Sequence, residues 1–261
     1  MFEIKILLVF FFLLKAINIY NNDLENVDLS IVGYILSSDG IGRMPITLID
    51  SLKDNLNINF ISSRSMNLIA PETPHELKEI IKKKNDIPGN LALFTDILAS
   101  KESVRYESIP EESIIKIAYS MIEGSVVPHE WIEALNLKFD AVVVPDSWLI
   151  NVYKKSGLKI PIFVLPLILN IEDFLKVPPK TNPNKPFVFG NTMAFIQRKN
   201  HIRLVQAFAK VFKNLSNVKL YISGRMTEGS LKLLKDKIKE LDLKNVILKL
   251  QLISQKKYIL I

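Results

Sequence analysis

The chain has 261 residues, enough for one large domain or two smaller ones, and its 48% hydrophobic residues provide material for a core. It has no cysteine and three scattered histidines, which excludes structural disulfides and thiolate metal sites and leaves no histidine-based metal cluster. The net charge is +7, so the chain is basic overall.

The positive charge is concentrated at the C-terminal end of the chain. Residues 185–261 contain 16 Lys and Arg against 4 Asp and Glu, whereas residues 1–184 contain 18 against 23. Such a segment favours an anionic partner, namely a phosphorylated ligand, a nucleic acid or an anionic lipid surface, although solvated lysine-rich helices give the same composition. No basic patch interleaved with aromatic residues is present, so we do not expect a nucleic-acid partner.

Residues 1–28 form an apolar leader in the sequence. The apolar run from Ile6 to Leu14 lies between Lys5 and Lys15. It is shorter than the roughly 20 residues that a transmembrane helix needs. The run has the character of a secretory signal; a membrane-associating segment and a buried first strand are the alternatives.

Residues 29–170 are predicted to form an α/β domain. The run 29–36 predicts a first strand, which a SSDGIGR turn, a helix and a second strand over NINFIS follow. Further strands are predicted over NLALFTD, IIKIAYS, FDAVVVPD and IPIFVLP, alternating with helices at 75–84, 130–135 and 147–157. Short apolar runs bounded by turn residues are typical of parallel strands buried on both faces.

A proline-rich linker, placed at 171–186, separates this domain from a second one. The stretch VPPKTNPNKP has four prolines, which disfavour helix and sheet and predict an extended segment. Strands over FVFG, VKLYISG and NVILKL then alternate with helices at 201–215 and 230–241. A doubly wound domain usually has about four to six strands. We therefore expect residues 187–261 to form an incomplete second domain.

Gly40, Gly42 and Arg43 follow the first predicted strand. A Gly-x-Gly turn allows close approach of the backbone to a ligand, and amide groups at a helix N-terminus attract anions. The full GxGxxG pattern is absent because Pro45 replaces the third glycine. An ordinary strand-to-helix connection is therefore the alternative.

Three further positions carry charges next to predicted strand ends. Arg198 and Lys199, followed by Asn200, lie between FVFG and a helix, where they can neutralise a diphosphate or simply face water. Glu123 follows IIKIAYS, and Asp96 ends NLALFTD. A carboxylate at either position can bind sugar hydroxyls or act as a base, or can be a solvated residue or helix cap.

In order and spacing, these segments resemble glycosyltransferases of the GT-B fold, in particular the retaining family four. The resemblance covers roughly residues 29–250 and rests on DGIGR, on IAYSMIEGSVVPHEWIEALNLKFDAVVVPDSWLINVYKKSG, on PIFVLPLILNIEDF and on GNTMAFIQRKNHIRLVQAFAKVF. It implies an α/β fold of two Rossmann-like doubly wound domains, the second incomplete.

The resemblance also implies a function. It implies transfer of a hexosyl group from a nucleotide sugar to a hydroxyl of a glycan or lipid-linked acceptor, without a cofactor or metal, in the cytoplasm or at the cytoplasmic face of a membrane. Arg198 and Lys199 would contact the donor diphosphate, and Gly40, Gly42 and Arg43 would face the acceptor side of the cleft. By its position alone, Glu123 is an acceptor-side residue and the candidate catalytic one.

One part of the family pattern is missing. The family's Glu-x7-Glu region has no counterpart before residue 261. The alternatives are therefore a non-catalytic remnant that binds a nucleotide or a partner and, on the same fold, an epimerase.

Overall fold

A computed structural model describes residues 27–36, 39–65, 67–71, 73–83, 88–100, 103–167, 171–178, 186–224 and 230–250. The chain divides into two compact units, Met1–Asn170 and Ile171–Ile261. The leader predicted at 1–28 lies outside the described residues up to residue 26, as does most of the proline-rich stretch, at 179–185. None of the helices in the ranges given above is long and apolar enough to cross a membrane.

The first unit contains eight strands, four α-helices and one 3-10 helix, Tyr106–Ser108, within the described residues. In chain order the strands are β1 Leu29–Gly33, β2 Ile58–Ser62, β3 Leu91–Phe94, β4 Ala99–Ser100, β5 Ser103–Val104, β6 Ile115–Tyr119, β7 Ala141–Val144 and β8 Ile162–Val164. The helices are α1 Gly40–Leu52, α2 His75–Lys82, α3 His129–Lys138 and α4 Trp148–Lys155. The predicted alternation of strands and helices is confirmed.

Six of these strands form one parallel sheet in the order β2-β1-β3-β6-β7-β8. The chain continues from β1 to β2 on one side and then places β3 on the other side of β1. In open α/β sheets, ligands bind at the carboxyl ends of the strands where the order reverses in this way. A ligand site is therefore expected at the carboxyl ends of β1 and β3.

Buried apolar side chains cover both faces of this sheet. Successive residues of a strand point to opposite faces, so Ile31 belongs to one hydrophobic cluster and Val32 to another. The Ile31 cluster includes Leu48 of α1, and the Val32 cluster includes Leu135 of α3. Helices on both faces make this unit doubly wound, as predicted.

The structure corrects the prediction of a glycine turn before α1. Helix α1 begins at Gly40, so Gly40, Gly42 and Arg43 lie in its first turn rather than in a loop. The physical reason is a cap at Asp39, whose side chain accepts a hydrogen bond from the Ile41 amide at 3.3 Å. The chain can therefore become helical four residues earlier than the apolar spacing indicates.

The antiparallel hairpin of β4 and β5 was not predicted from the sequence. Each of its strands has two residues. Such short strands are too brief for a period-two pattern of apolar residues.

The second unit has one helical turn followed by a smaller parallel sheet. Its elements are α5 Glu172–Leu175, β9 Phe187–Thr192, α6 His201–Phe212, β10 Val218–Gly224, α7 Ser230–Glu240 and β11 Val246–Leu250. The sheet order is β11-β10-β9. Helix α5 lies in the segment predicted as an extended linker, and it forms before the first proline of that segment, Pro178.

The core of the second unit lies between its sheet and its two longer helices. Leu220 and Ile222 of the central strand β10 are fully buried, and they belong to one cluster with Val205 of α6 and Leu234 of α7. On the outer strand β9, Phe187 and Phe189 are 50% and 40% exposed. The described residues of this unit therefore form a parallel α/β arrangement with three strands, in agreement with the predicted fold class.

Candidate functional site

A pocket of about 460 Å³ opens at the carboxyl ends of β1 and β2. Residues 34–36, which follow β1, and residues 63–65, which follow β2, line it together with Leu68 and Arg105. Parallel neighbouring strands bring the segments that follow them to the same edge of the sheet. The pocket thus lies beside the reversal of strand order described above.

Arg64 forms one wall of this pocket and is held by Asp96, which follows β3. The Arg64 Nη2 atom lies 2.6 Å from Asp96 Oδ1, and Arg64 Nε lies 2.9 Å from Asp96 Oδ2. The Asp96 side chain is completely buried and also accepts hydrogen bonds from the Ser63 hydroxyl at 2.7 Å and the Ile97 amide at 2.6 Å. Its hydrogen bonds to Asp96 raise the pKa of Arg64, so the guanidinium is a fixed cation.

The Tyr34 ring packs against the guanidinium of Arg64. The guanidinium carbon of Arg64 lies 3.4 Å from the centroid of the Tyr34 ring, a cation–π contact. The Tyr34 hydroxyl donates a hydrogen bond to Asp39 Oδ2 at 2.8 Å. Burial, together with this bond, raises the pKa of Tyr34, so the hydroxyl stays protonated. Through Asp39 the pocket is connected to the cap of α1.

Arg105 provides the second cation of the pocket. Its amide donates to the Leu98 carbonyl at 2.9 Å, and its own carbonyl accepts from the Ser108 hydroxyl at 2.7 Å. These bonds fix the backbone of Arg105, which is among the residues that line the pocket. Among the described residues, those that line the pocket include two arginines and no carboxylate.

The residues predicted in the first unit, Gly40, Gly42, Arg43 and Glu123, do not line this pocket. A Cβ on Gly42 would lie 2.7 Å from the Leu36 amide nitrogen, so this glycine allows α1 to pack against the segment after β1. Gly40 and Arg43 are exposed. Glu123 is also exposed and lies between β6 and α3, at the carboxyl edge of the same sheet. The roles proposed for these residues remain predictions.

The carboxyl edge of the second unit's sheet carries the predicted Arg198 and Lys199. They belong to a single 3-10 turn, Gln197–Lys199, which connects β9 to α6. Asn200 then adopts the left-handed conformation, with φ 53°, and allows an abrupt entry into the helix. With Arg203, three cations lie at the N-terminal end of α6, and its first turn contains no acidic residue. Because the helix dipole disfavours cations there, an anion bound at this end would stabilise it.

Three buried polar atoms at this edge make no hydrogen bond to the residues that the structure describes. They are Asn191 Oδ1 near the end of β9, Ser223 Oγ near the end of β10, and His201 Nε2 at the start of α6. His201 is 6% exposed, and its ring lies tilted against Phe195 with 5.1 Å between the ring centroids. Burial lowers the pKa of His201. Buried polar atoms normally have a partner, so these three are unsatisfied with respect to the described residues.

Gly224 allows the backbone after β9 to cross the end of β10. A Cβ at Gly224 would lie 1.9 Å from the Met193 carbonyl oxygen, a contact that no side chain permits. This close approach shapes the segment that leads to Arg198 and Lys199. Among the residues that the structure describes, no group of three His, Asp or Glu residues is arranged to hold a metal ion.

Sequence reasoning missed Tyr34, Arg64 and Arg105, and it gave Asp96 less weight than Glu123. The available signal was that Tyr34, Arg64 and Asp96 each lie within two residues of the end of a strand. Arg105 follows the unpredicted hairpin and had no such signal.

No protein-family model matches the chain, and no curated protein matches it. Solved structures are similar. A glycosyltransferase from Rickettsia africae ESF-5 has a TM-score of 0.56 at 15% identity, covering 87% of this chain and 69% of its own. A sucrose-phosphate synthase from Thermosynechococcus elongatus has a TM-score of 0.53 at 11% identity, with 89% and 72% covered. An α-glucosyltransferase in complex with UDP has a TM-score of 0.52 at 11% identity, with 86% and 68% covered. The parallel α/β units of this chain therefore have the GT-B fold of these glycosyltransferases.

Proposed function

We propose that the protein is a glycosyltransferase that moves a hexosyl group from a nucleotide sugar to a hydroxyl acceptor. The observation that carries this proposal is the position of Arg198 and Lys199 between β9 and α6, on a fold shared with three transferases. One of those three was solved with UDP. The donor would bind to the second unit, and the acceptor to the first.

The chemistry of the second unit suits a nucleoside diphosphate. When the glycosidic bond to the donor phosphate breaks, negative charge grows on the departing diphosphate. The Arg198 guanidinium can hold two phosphate oxygens, and the Lys199 ammonium adds a point charge beside the N-terminus of α6. Fixed charges that face developing charge are among the largest contributions to catalysis.

The phosphate charge would be neutralised by these side chains, without a cofactor or a bound metal. Three cations, Arg198, Lys199 and Arg203, lie around one helix end and support this part of the proposal. Donor binding that is unchanged by a chelator is the expected result.

For the acceptor we propose a hydroxyl group on a glycan or lipid-linked molecule. A nucleotide sugar is available in the cytoplasm, so we place the protein there or at the cytoplasmic face of a membrane. The basic segment 185–261 would attract an anionic membrane surface. Glu123, which is exposed at the carboxyl edge of the first unit's sheet, would act as an acid or base.

Calorimetric titration with UDP- and GDP-sugars tests donor binding. The wild type would be compared with an Arg198→Ala/Lys199→Ala variant, with unfolding temperatures measured for both. A Lys210→Ala/Lys213→Ala variant is the matched control, because it removes the same charge from exposed positions at the other end of α6. We expect only the first variant to lose binding. A folded wild type that binds neither donor would contradict the proposal.

A nucleotide-binding protein without transferase activity is the second candidate. The observation in its favour is the group of three cations, Arg198, Lys199 and Arg203, at the N-terminal end of α6, which can bind a nucleotide whether or not transfer follows. Donor binding without release of the nucleoside diphosphate, in the presence of hydroxyl acceptors, would favour this alternative.

A further inference from the structure

The pocket of the first unit has an excess of positive charge. Its lining, as far as the structure describes the chain, contains Arg64 and Arg105 and no carboxylate. The Asp96 side chain is completely buried next to Arg64. Its two carboxylate oxygens accept hydrogen bonds from Arg64, the Ser63 hydroxyl and the Ile97 amide. Its charge compensates that of Arg64 and leaves Arg105 without a counter-charge in the pocket.

Arg105 differs from Arg64 in how it is bound. Its backbone is fixed by Leu98 and Ser108. Within the described ranges, its guanidinium makes no hydrogen bond and no ion pair. A partly buried cation in a concave site attracts an anion more strongly than one on an open surface, because solvent screens it less.

Arg64 can contribute to the same ligand without leaving Asp96. Asp96 takes up Nε and Nη2, so the hydrogens of Nη1 are not engaged by it. The Tyr34 ring and the bidentate bond hold the guanidinium in one orientation. A rigid donor loses little conformational entropy when it binds a ligand.

We propose that this pocket binds a phosphate group on the acceptor, with Arg105 as its main contact and Arg64 as a second. This inference rests on the proposed function and specifies the chemical class of the acceptor. The apolar side chains of Leu36 and Leu68 in the lining would face the part of the ligand next to the phosphate. A soluble sugar phosphate and a phospholipid headgroup share this chemistry.

Binding measurements on the full chain test this proposal. The soluble probe is glucose 6-phosphate, and its binding is measured by calorimetry with glucose as the uncharged control. The lipid probe is a phosphatidylcholine vesicle with or without phosphatidic acid, and binding of the protein to it is measured by co-sedimentation. Each is measured for the wild type, Arg105→Ala, Arg105→Gln and Arg198→Ala/Lys199→Ala, with circular dichroism as the check on folding.

We expect glucose 6-phosphate or the phosphatidic acid vesicle to bind, and Arg105→Ala and Arg105→Gln to weaken that binding by about tenfold or more, as loss of a charge-assisted hydrogen bond does. The probe that binds more tightly shows whether the natural ligand is a soluble sugar phosphate or a phospholipid headgroup. Both Arg105 variants should bind UDP-sugar like the wild type. Phosphate binding that is unaffected by both variants, or that only the Arg198→Ala/Lys199→Ala variant abolishes, would overturn the proposal.

The donor titration separates this proposal from the function on which it rests. A chain that binds UDP-sugar but neither phosphate probe overturns the phosphate site and leaves the transferase proposal standing. A folded chain that binds neither donor nor phosphate overturns both. A chain that binds phosphate through Arg105 but no donor supports the site and overturns its link to glycosyl transfer.

Discussion

Arg64 and Asp96 are joined by two hydrogen bonds, of 2.6 and 2.9 Å, that cross the end of strand β1. Arg64 follows β2 and Asp96 follows β3, and these strands lie on either side of β1. Tyr34, which follows β1 itself, stacks under the guanidinium. One ion pair therefore ties together the ends of three strands and sets the shape of the pocket above them.

Removal of the Asp96 charge should destabilise the first unit. Asp96→Asn leaves the partly buried Arg64 without its counter-charge and breaks the two-point bond, so we expect a loss of about 3 kcal/mol in the free energy of unfolding. Urea denaturation followed by circular dichroism measures it. Asp54→Asn is the control, because Asp54 is 79% exposed and pairs with Lys53 at the surface. Equal, small effects of both substitutions would show that the buried pair is not stabilising.

Gly224 and Gly190 should respond differently to the same substitution. A Cβ at Gly224 would clash with the Met193 carbonyl, whereas a Cβ at Gly190 would meet no atom within 4 Å. We expect Gly224→Ala to cost about 3 kcal/mol through forced backbone movement and to weaken donor binding, with little change for Gly190→Ala. Thermal unfolding and UDP-sugar titration of both variants check this. A Gly224→Ala variant as stable as Gly190→Ala would mean that the crossing backbone moves aside freely.

His201 should make the second unit less stable in acid. Burial lowers its pKa in the folded state below the ordinary value of 6.5. As the pH falls below that value, the unfolded chain takes up a proton that folded His201 does not, so the free energy of unfolding decreases. Denaturation between neutral and mildly acidic pH measures this slope.

Three histidine substitutions identify the source of that slope. His201→Gln should reduce it, whereas His75→Gln and His129→Gln should not, since those side chains are 87% and 81% exposed. A slope that His201→Gln leaves intact would assign the acid sensitivity to other groups.

Glu123 should affect turnover more than folding. It is exposed between β6 and α3, so Glu123→Gln removes a charge without opening the core. If Glu123 acts as an acid or base, we expect a fall of about 100-fold in kcat with an unchanged unfolding temperature. Glu130→Gln, at an exposed position in the first turn of α3, is the matched control. Full activity of the Glu123→Gln variant would remove this residue from the mechanism.

The arrangement of strands and helices was predictable because apolar runs buried on both faces are conspicuous in a sequence. Strands such as β3, LALF, and β7, AVVV, consist only of buried apolar residues. The start of α1 was not predictable from spacing, because the Asp39 cap acts on a segment with two glycines and a proline.

The pocket was harder to predict than the fold. Arg64 and Asp96 are 32 residues apart, and they meet only because β1 lies between β2 and β3. A linear sequence does not contain that strand order. Arg198 and Lys199 were found because both flanking elements, β9 and α6, were recognisable beside them.

Strand β9 has a consequence for how copies of the chain behave in solution. Within the described residues it pairs with β10 alone, and Phe187, Val188 and Phe189 are 50%, 42% and 40% exposed. An exposed edge strand with apolar side chains can pair with a strand of another polypeptide. Coulomb repulsion between positively charged copies opposes that pairing. Because the basic residues of segment 185–261 supply that repulsion and dissolved ions screen it, concentrated salt would promote aggregation of this protein rather than disperse it.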